Sequence, residues 1–129
     1  MQLKILKPIA SRKGHSTISF NKKGLISISK VASQKIGITN GDPVSLAFDE
    51  KKDSDWYLVF HKRNSEEGLP CRVKSNGSVT LNCTSFTASF FETLKIEGDS
   101  ISVPLSTEGR DLPEENVFIY PIITRAALV

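Results

Sequence analysis

Apolar and polar residues alternate along most of the chain, and the alternation is organised twice in the same way. Ile18-Ser19-Phe20 and Ile26-Ser27-Ile28 flank Lys22-Lys23-Gly24, while Cys71-Arg72-Val73 and Val79-Thr80-Leu81 flank Ser75-Asn76-Gly77. A period of two on either side of a glycine predicts an antiparallel hairpin with one buried face. A three-residue loop with its glycine in the left-handed region sets Phe20 against Ile26 and Ile18 against Ile28. The same loop sets Val73 against Val79 and Cys71 against Leu81. A two-residue turn would pair Phe20 with Ser27 and mix the faces, which a half-buried strand does not tolerate.

A short helix is predicted after each hairpin. In the first, Ser29 is a good N-cap, Gly37 a good terminator, and Ala32 and Ile36 lie four apart on one face. In the second, Phe86, Phe90 and Leu94 form a longer stripe that reads as core. Gly41-Asp42 and Gly98-Asp99 follow, each leading into an alternating strand: Val44, Leu46, Phe48 and then Ile101, Val103, Leu105. Seventeen residues separate Gly24 from Gly41 and twenty-one separate Gly77 from Gly98, so the second helix should be about one turn longer. Trp56–Phe60 and Val117–Ile122 are apolar on both faces, which predicts strands that lie centrally or beneath a neighbour. Asp49 to Asp55 and Ser106 to Asn116 read as polar connections.

This is an internal repeat, with unit one over 16–62 and unit two over 69–124, preceded by a basic arm over 1–15. Two four-stranded units would each expose sheet edges, and closure on one another removes them. The expected fold is therefore all-β with two short helices. Its two tandem ββαββ units should form one pseudo-twofold, barrel-like domain over 1–129, with two independent subdomains as the alternative. Each half alone should be unfolded or self-associating, and the whole chain a monomer or a homodimer through an outer face.

Composition agrees with a folded chain: 39% of the 129 residues are hydrophobic and 24% charged, enough apolar surface for a core. No apolar run approaches the ~20 residues of a membrane span, and the first residues lack the apolar stretch of a secretory signal. A cytoplasmic protein without a membrane partner is expected. The net charge of +3 conceals a strong polarity. Residues 1–41 hold Lys4, Lys7, Arg12, Lys13, Lys22, Lys23, Lys30 and Lys35 and no acid, whereas residues 92–115 hold seven acids against Lys95 and Arg110. An acid-free basic segment of that length points to a polyanion, because lysine and arginine near phosphates gain by counterion release.

Little else in the chain carries chemistry. The predicted register places Cys71 and Cys83 one diagonal step apart, roughly 7–8 Å, beyond disulfide reach, so two reduced, buried thiols are expected. Neither cysteine belongs to a C-x-x-C motif, and only His15 and His61 are left to complete a metal site, so no metal is expected. His15 lies among bases and is placed to meet phosphate or solvent; His61 reads as a solvated strand end. No nucleophile stands beside a recognisable base, and Gly24 and Gly77 are turn glycines without a phosphate-cradling pattern. Neither an enzyme nor a cofactor is expected.

Gly24-Leu25-Ile26-Ser27-Ile28-Ser29, continued through Ile36-Gly37-Ile38-Thr39-Asn40-Gly41-Asp42-Pro43-Val44, resembles the AbrB/MazE/SpoVT family of swapped-hairpin DNA-binding domains. The likeness covers about 45 residues of unit one, and Leu94-Lys95-Ile96-Glu97-Gly98-Asp99 echoes it with one residue fewer. Family members are commonly homodimers with interleaved hairpins, so a tandem copy looks like such a dimer fused into one chain. The resemblance implies a transcription-regulator-like DNA-binding protein. Where the family carries arginine after the turn glycine, this chain has Leu25 and Ser78; where it carries proline at the strand end, Ser29 and Asn82; where it carries a helix arginine, Ser33. Lys22, Lys23, Lys30 and Lys35, with Arg12 and Lys13 on the arm, are then the candidates to contact DNA phosphates, which position a protein without reading bases. The alternative is a protein-interaction or structural module, an antitoxin-like partner that keeps the barrel without binding DNA.

Overall fold

The computed structural model describes residues 2–4, 15–62 and 68–124. In the first half of the chain lie β1 (Thr17–Asn21), β2 (Leu25–Ile28), α1 (Lys30–Ile36), β3 (Pro43–Asp49) and β4 (Lys52–His61). In the second half lie β5 (Leu69–Pro70), β6 (Arg72–Val73), β7 (Val79–Asn82), α2 (Thr84–Leu94), β8 (Ser100–Pro104), β9 (Arg110–Leu112) and β10 (Val117–Ile122).

Both hairpins adopt the register that their alternation predicts, except that Cys71 does not pair with Leu81. Ile18 stands opposite Ile28 and Phe20 opposite Ile26; Val73 stands opposite Val79 and Arg72 opposite Thr80. The turns close alike. The Gly24 N–H donates to the Asn21 carbonyl at 3.1 Å and the Gly77 N–H to the Lys74 carbonyl at 2.9 Å. Their φ values are +107° and +91°, a region that a side chain disfavours.

Helix α1 starts at its predicted cap: Ser29 Oγ accepts from the Ala32 N–H at 3.4 Å, and Gly37 ends the helix in the left-handed region. Helix α2 spans 11 residues against 7 in α1, one turn more as expected. Its N-cap is Cys83, which makes no side-chain capping bond, and Lys95 takes the left-handed position held by Gly37 in α1. The buried stripe of α2 is Thr87, Phe90, Phe91 and Leu94, with Phe86 only half-buried. The face is thus rotated from the predicted one, because the pair Phe90-Phe91 is wide enough to centre it between the two rings.

The strands form two antiparallel sheets, in the orders β6-β7-β2-β1-β8 and β5-β3-β4-β10-β9. Strands β4 and β10 are interior, as their doubly apolar sequences require. The sheets meet at two seams. At one, β5 leads into β6 through Cys71, whose N–H donates to the Asp42 carbonyl (3.0 Å) and whose carbonyl accepts from the Gly41 N–H (2.8 Å). Cys71 thereby leaves both ladders, and this breaks what alternation alone presents as one strand. At the other seam Leu105 bridges to Ile122. The polar stretch Ser106 to Asn116 is not wholly a connection, since β9 pairs there with β10; likewise β4 already begins at Lys52.

One core lies between the sheets and draws on both halves of the chain. At its centre Phe20 of β1 stacks on Phe90 of α2 with ring centroids 3.9 Å apart, and Trp56 of β4 meets Phe90 edge-on at 5.1 Å. Cys71 is buried, but Cys83 is half-buried at the helix start, and both are free thiols. Among the described residues, no helix is long and apolar enough to cross a membrane.

Candidate nucleic-acid interface

Period-two geometry that sends Ile18, Phe20, Ile26, Ile28, Val79 and Leu81 into the core sends their neighbours outward on the first sheet. Register aligns those neighbours into a cross-strand row, Arg72 to Thr80 to Ser27 to Ser19 to Ser102. Ser19 and Ser102 are joined through their hydroxyls at 3.0 Å. The outward face is thus floored by small hydroxyl side chains. Strands β1, β2, β6, β7 and β8 and helix α1 contain no acidic residue at all. Asp49, Glu50, Asp111, Glu114 and Glu115 lie on the second sheet and its loops, while Glu92, Glu97 and Asp99 lie on α2 and the turn into β8, outside the strands of the first sheet. The strands of the first sheet and α1 thus carry bases without acids.

Basic residues stand at both ends of the acid-free sheet. Lys22 and Lys23 are exposed on the β1–β2 turn. The Lys22 N–H donates to the Asp99 carbonyl at 2.9 Å, and its Nζ lies 5.9 Å from the Phe91 ring centroid. Lys30, the first residue of α1, is at the opposite end of β2, about 20 Å away at the rise of an extended strand. Its side chain lies against the β6–β7 turn, where a Cβ on Gly77 would meet Lys30 Cγ at 3.0 Å. Lys35 is exposed in the last turn of α1, where a cation favours the helix dipole. Arg12 and Lys13 lie outside the described residues. The four described positions do not form one cluster; they divide into a turn group and a helix group.

Two further bases belong to the same surface. Arg72 and Lys74 are exposed, Arg72 in the hydroxyl row and Lys74 at the base of the turn beside Lys30. The signal for them is in the sequence: a register that buries Cys71 and Val73 must turn Arg72 and Lys74 outward. Among the described residues the only ion pair joins Lys62 Nζ to Asp111 Oδ1 at 2.6 Å, so none of these bases is neutralised by a described acid.

The corner beside α1 is the most polar part of the face. Ser29 Oγ accepts from the Thr17 N–H at 3.0 Å and donates to the His15 carbonyl at 3.1 Å, beyond its capping bond. His15, Thr17, Ser29 and Ser102 line a cavity of about 540 Å³ there. One hydroxyl thus ties the entry of β1 to the start of α1.

His61 is not the solvated strand end that its neighbours Lys62 and Arg63 imply. It is 6% exposed on the second sheet, with Nε2 2.7 Å from Ser45 Oγ. Gly68 lies so close that a Cβ there would meet His61 Cδ2 at 2.5 Å. Elsewhere, burial pushes the Cys71 thiol up from its ordinary range, with the charge of Asp42 adding to the shift, and burial alone raises the Tyr120 phenol. Among the described residues no three His, Cys, Asp or Glu side chains gather as metal ligands would. No protein-family model, no curated protein and no solved structure matches this chain.

Proposed function

We propose that this chain is a DNA-binding, transcription-regulator-like protein that holds backbone phosphates on the outward face of the first sheet. The observation that carries the reading is the face itself: five strands and a helix without an acid, bases at both ends, and small hydroxyls between them. Serine and threonine side chains let a duplex backbone approach closely and donate to phosphate oxygens, as lysine and arginine do from the rim. Leu25 and Ser78, where AbrB/MazE/SpoVT domains carry arginine, leave the residue after each turn glycine without a long base-reading side chain. Binding is therefore dominated by phosphates and weakly dependent on sequence.

The resemblance to AbrB/MazE/SpoVT domains belongs to the same proposal. Strands β2 and β7 occupy equivalent places after their turn glycines, and they pair antiparallel with Ser27 opposite Thr80, each the third residue after its glycine. Strands β4 and β10, the last of each half, pair antiparallel as well. Each turn glycine approaches the first residue of the other half's helix, Gly24 at Thr84 and Gly77 at Lys30. Such reciprocity is what two tandem ββαββ units sharing one pseudo-twofold, barrel-like core would have, a swapped-hairpin dimer fused into one chain. Unequal strand pairing makes the symmetry approximate: β8 lies along all of β1, whereas β3 meets only the two residues of β5.

Salt titration on a random duplex tests the proposal. Replacing Lys22, Lys23, Lys30 and Lys35 with alanine should flatten the slope of log affinity against log salt by up to about 3.6, at ~0.9 per lost contact. Replacing Arg72 and Lys74 should flatten it by up to about 1.8. Lys51 and Lys52, on the other sheet, should leave it unchanged. No affinity near ~50 mM salt, where electrostatic binding is favoured, or an equal effect at Lys51 and Lys52, refutes the reading.

A further inference from the structure

The second sheet carries an apolar surface on the side away from the core. Trp56 and Leu58 of β4, with Tyr120 and Ile122 of β10, face inward; Tyr57, Val59, Val117 and Ile119 face out. Val59 and Val117 are only 7% and 5% exposed although neither belongs to the core cluster. They lie in a groove of about 880 Å³ that runs over this face, in the upper part of the ~300–1,000 Å³ range of ligand clefts. Phe48, 43% exposed, lines one end and stacks on Trp56 with centroids 4.9 Å apart. The hydrogen-bonded Ser45–His61 pair lines the other.

Charge sets the chemistry of what this groove accepts. Among the described residues three acids line it, Asp49 at the Phe48 end and Glu114 and Glu115 on the turn leading to Val117 at the His61 end, and no lysine or arginine does. From Ser45 to Asp49 the floor extends roughly 14 Å, the rise of four strand residues. We propose that this groove is a docking site for an extended segment of a partner protein in which apolar side chains alternate with lysine or arginine. In an extended chain alternate side chains point to opposite sides. One set then fills the floor over Val59 and Ile119, while the other points away from it, and its long cationic stems bend over the rim to Asp49 at one end and the Glu114-Glu115 pair at the other. Hydroxyl and imidazole at Ser45 and His61 offer hydrogen bonds to the segment's backbone at one end. The site is on the opposite sheet from the phosphate-binding face, so it stands or falls independently of DNA binding.

The full-length chain can be titrated with three synthetic nine-residue peptides, alternating Leu–Lys, Leu–Glu and Ser–Lys, while backbone amide shifts are followed by NMR. The Leu–Lys peptide should bind and shift the amides of Ala47, Val59 and Ile119, with little response to the other two. The variant Glu114→Lys/Glu115→Lys, confined to exposed residues of a turn, should weaken that binding by about tenfold or more without altering the unfolding midpoint. An equal response to Ser–Lys, which is charge attraction alone, overturns the proposal. So does no binding at about 1 mM peptide, or binding indifferent to the charge reversal. Sedimentation showing a homodimer buried through Val59 and Ile119, or through-space contacts from the chain's own ends to these residues, also overturns it, since the groove is then already filled. Tight binding of a small apolar cation such as benzylammonium, with none of the peptide, assigns the groove to small molecules and overturns it as well.

Discussion

Replacing Gly24 and Gly77 with alanine, one at a time, separates two costs that the hairpins combine. Both glycines have φ near +100°, at +107° and +91°, and forcing a β-carbon into left-handed backbone costs about 1–2 kcal/mol at either site. The surroundings differ. A Cβ on Gly24 would stand 2.8 Å from Thr84 Cγ2, 3.0 Å from its N and 3.2 Å from its Cα, and moving those backbone atoms means moving the start of α2. Overpacking of that kind adds about 1–3 kcal/mol. At Gly77 the neighbours are Cγ, Cδ and Cε of the exposed Lys30 at 3.0, 3.4 and 3.5 Å, and a flexible chain swings aside. Gly77→Ala should therefore cost about 1–2 kcal/mol and Gly24→Ala about 2–5 kcal/mol. Urea unfolding followed by the single tryptophan, Trp56, reads the difference as a midpoint shift of order 1 M at unchanged slope, taking ~1–3 kcal/mol per molar for the slope. Thr84→Ser deletes Cγ2, so the double variant Gly24→Ala/Thr84→Ser should recover about 1 kcal/mol, while Gly77→Ala shows no coupling to Thr84. Equal costs at the two glycines, or no coupling between residues 24 and 84, would refute the contact between the first turn and the start of α2.

Ser29→Ala removes the acceptor for two N–H groups and the donor to His15, and should cost about 1–2 kcal/mol in the same assay. Phe90→Ala empties the space between Phe20 and Trp56 and should cost about 3–5 kcal/mol, with Trp56 fluorescence altered in the folded state. Because burial, and then Asp42, raise the Cys71 thiol, the folded chain keeps a proton there that the unfolded chain loses. That contribution is fully present below about pH 8.5 and is lost as pH rises toward the folded value. Cys71→Ser should remove this part of the alkaline loss and leave the part that belongs to Tyr120. Half-buried Cys83 should react with iodoacetamide before Cys71 does.

Local features were legible where one residue type settles the geometry. Glycine at positions 24 and 77 set the loops, and with them both hairpin registers; Ser29 and Gly37 bracketed α1; the four extra residues before Gly98 lengthened α2. What escaped depends on partners distant in the chain. Alternation gives no hint that Cys71 will pair with the Gly41-Asp42 backbone and split β5 from β6. Nothing near His61 announces Ser45, sixteen positions earlier, because that contact exists only once β3 and β4 align. The three residues of β9 are too few for a periodic signal, and they extend only because β10 offers an open edge. Arg72 and Lys74 are a different case: the register that exposes them is readable in the sequence, but they lie outside the acid-free stretch 1–41 whose charge stands out.

The pairing of β1 with β8 has a consequence for how the chain is made. Ser19 and its hydroxyl partner Ser102 are 83 residues apart. A ribosome adding ~5–20 residues per second needs about 4–17 s to bridge that interval. Throughout it, the newborn β1–β2 hairpin has an uncovered edge on the β1 side, and for most of it Phe20 lacks the ring of Phe90. An open strand edge beside a bare aromatic is a place where nascent chains join one another. Two lysines at the tip of that hairpin, Lys22 and Lys23, give each waiting chain the same charge as its neighbours on the polysome. Exchanging them for serine should therefore lower the soluble yield of newly made protein while leaving the unfolding midpoint of the finished molecule nearly unchanged.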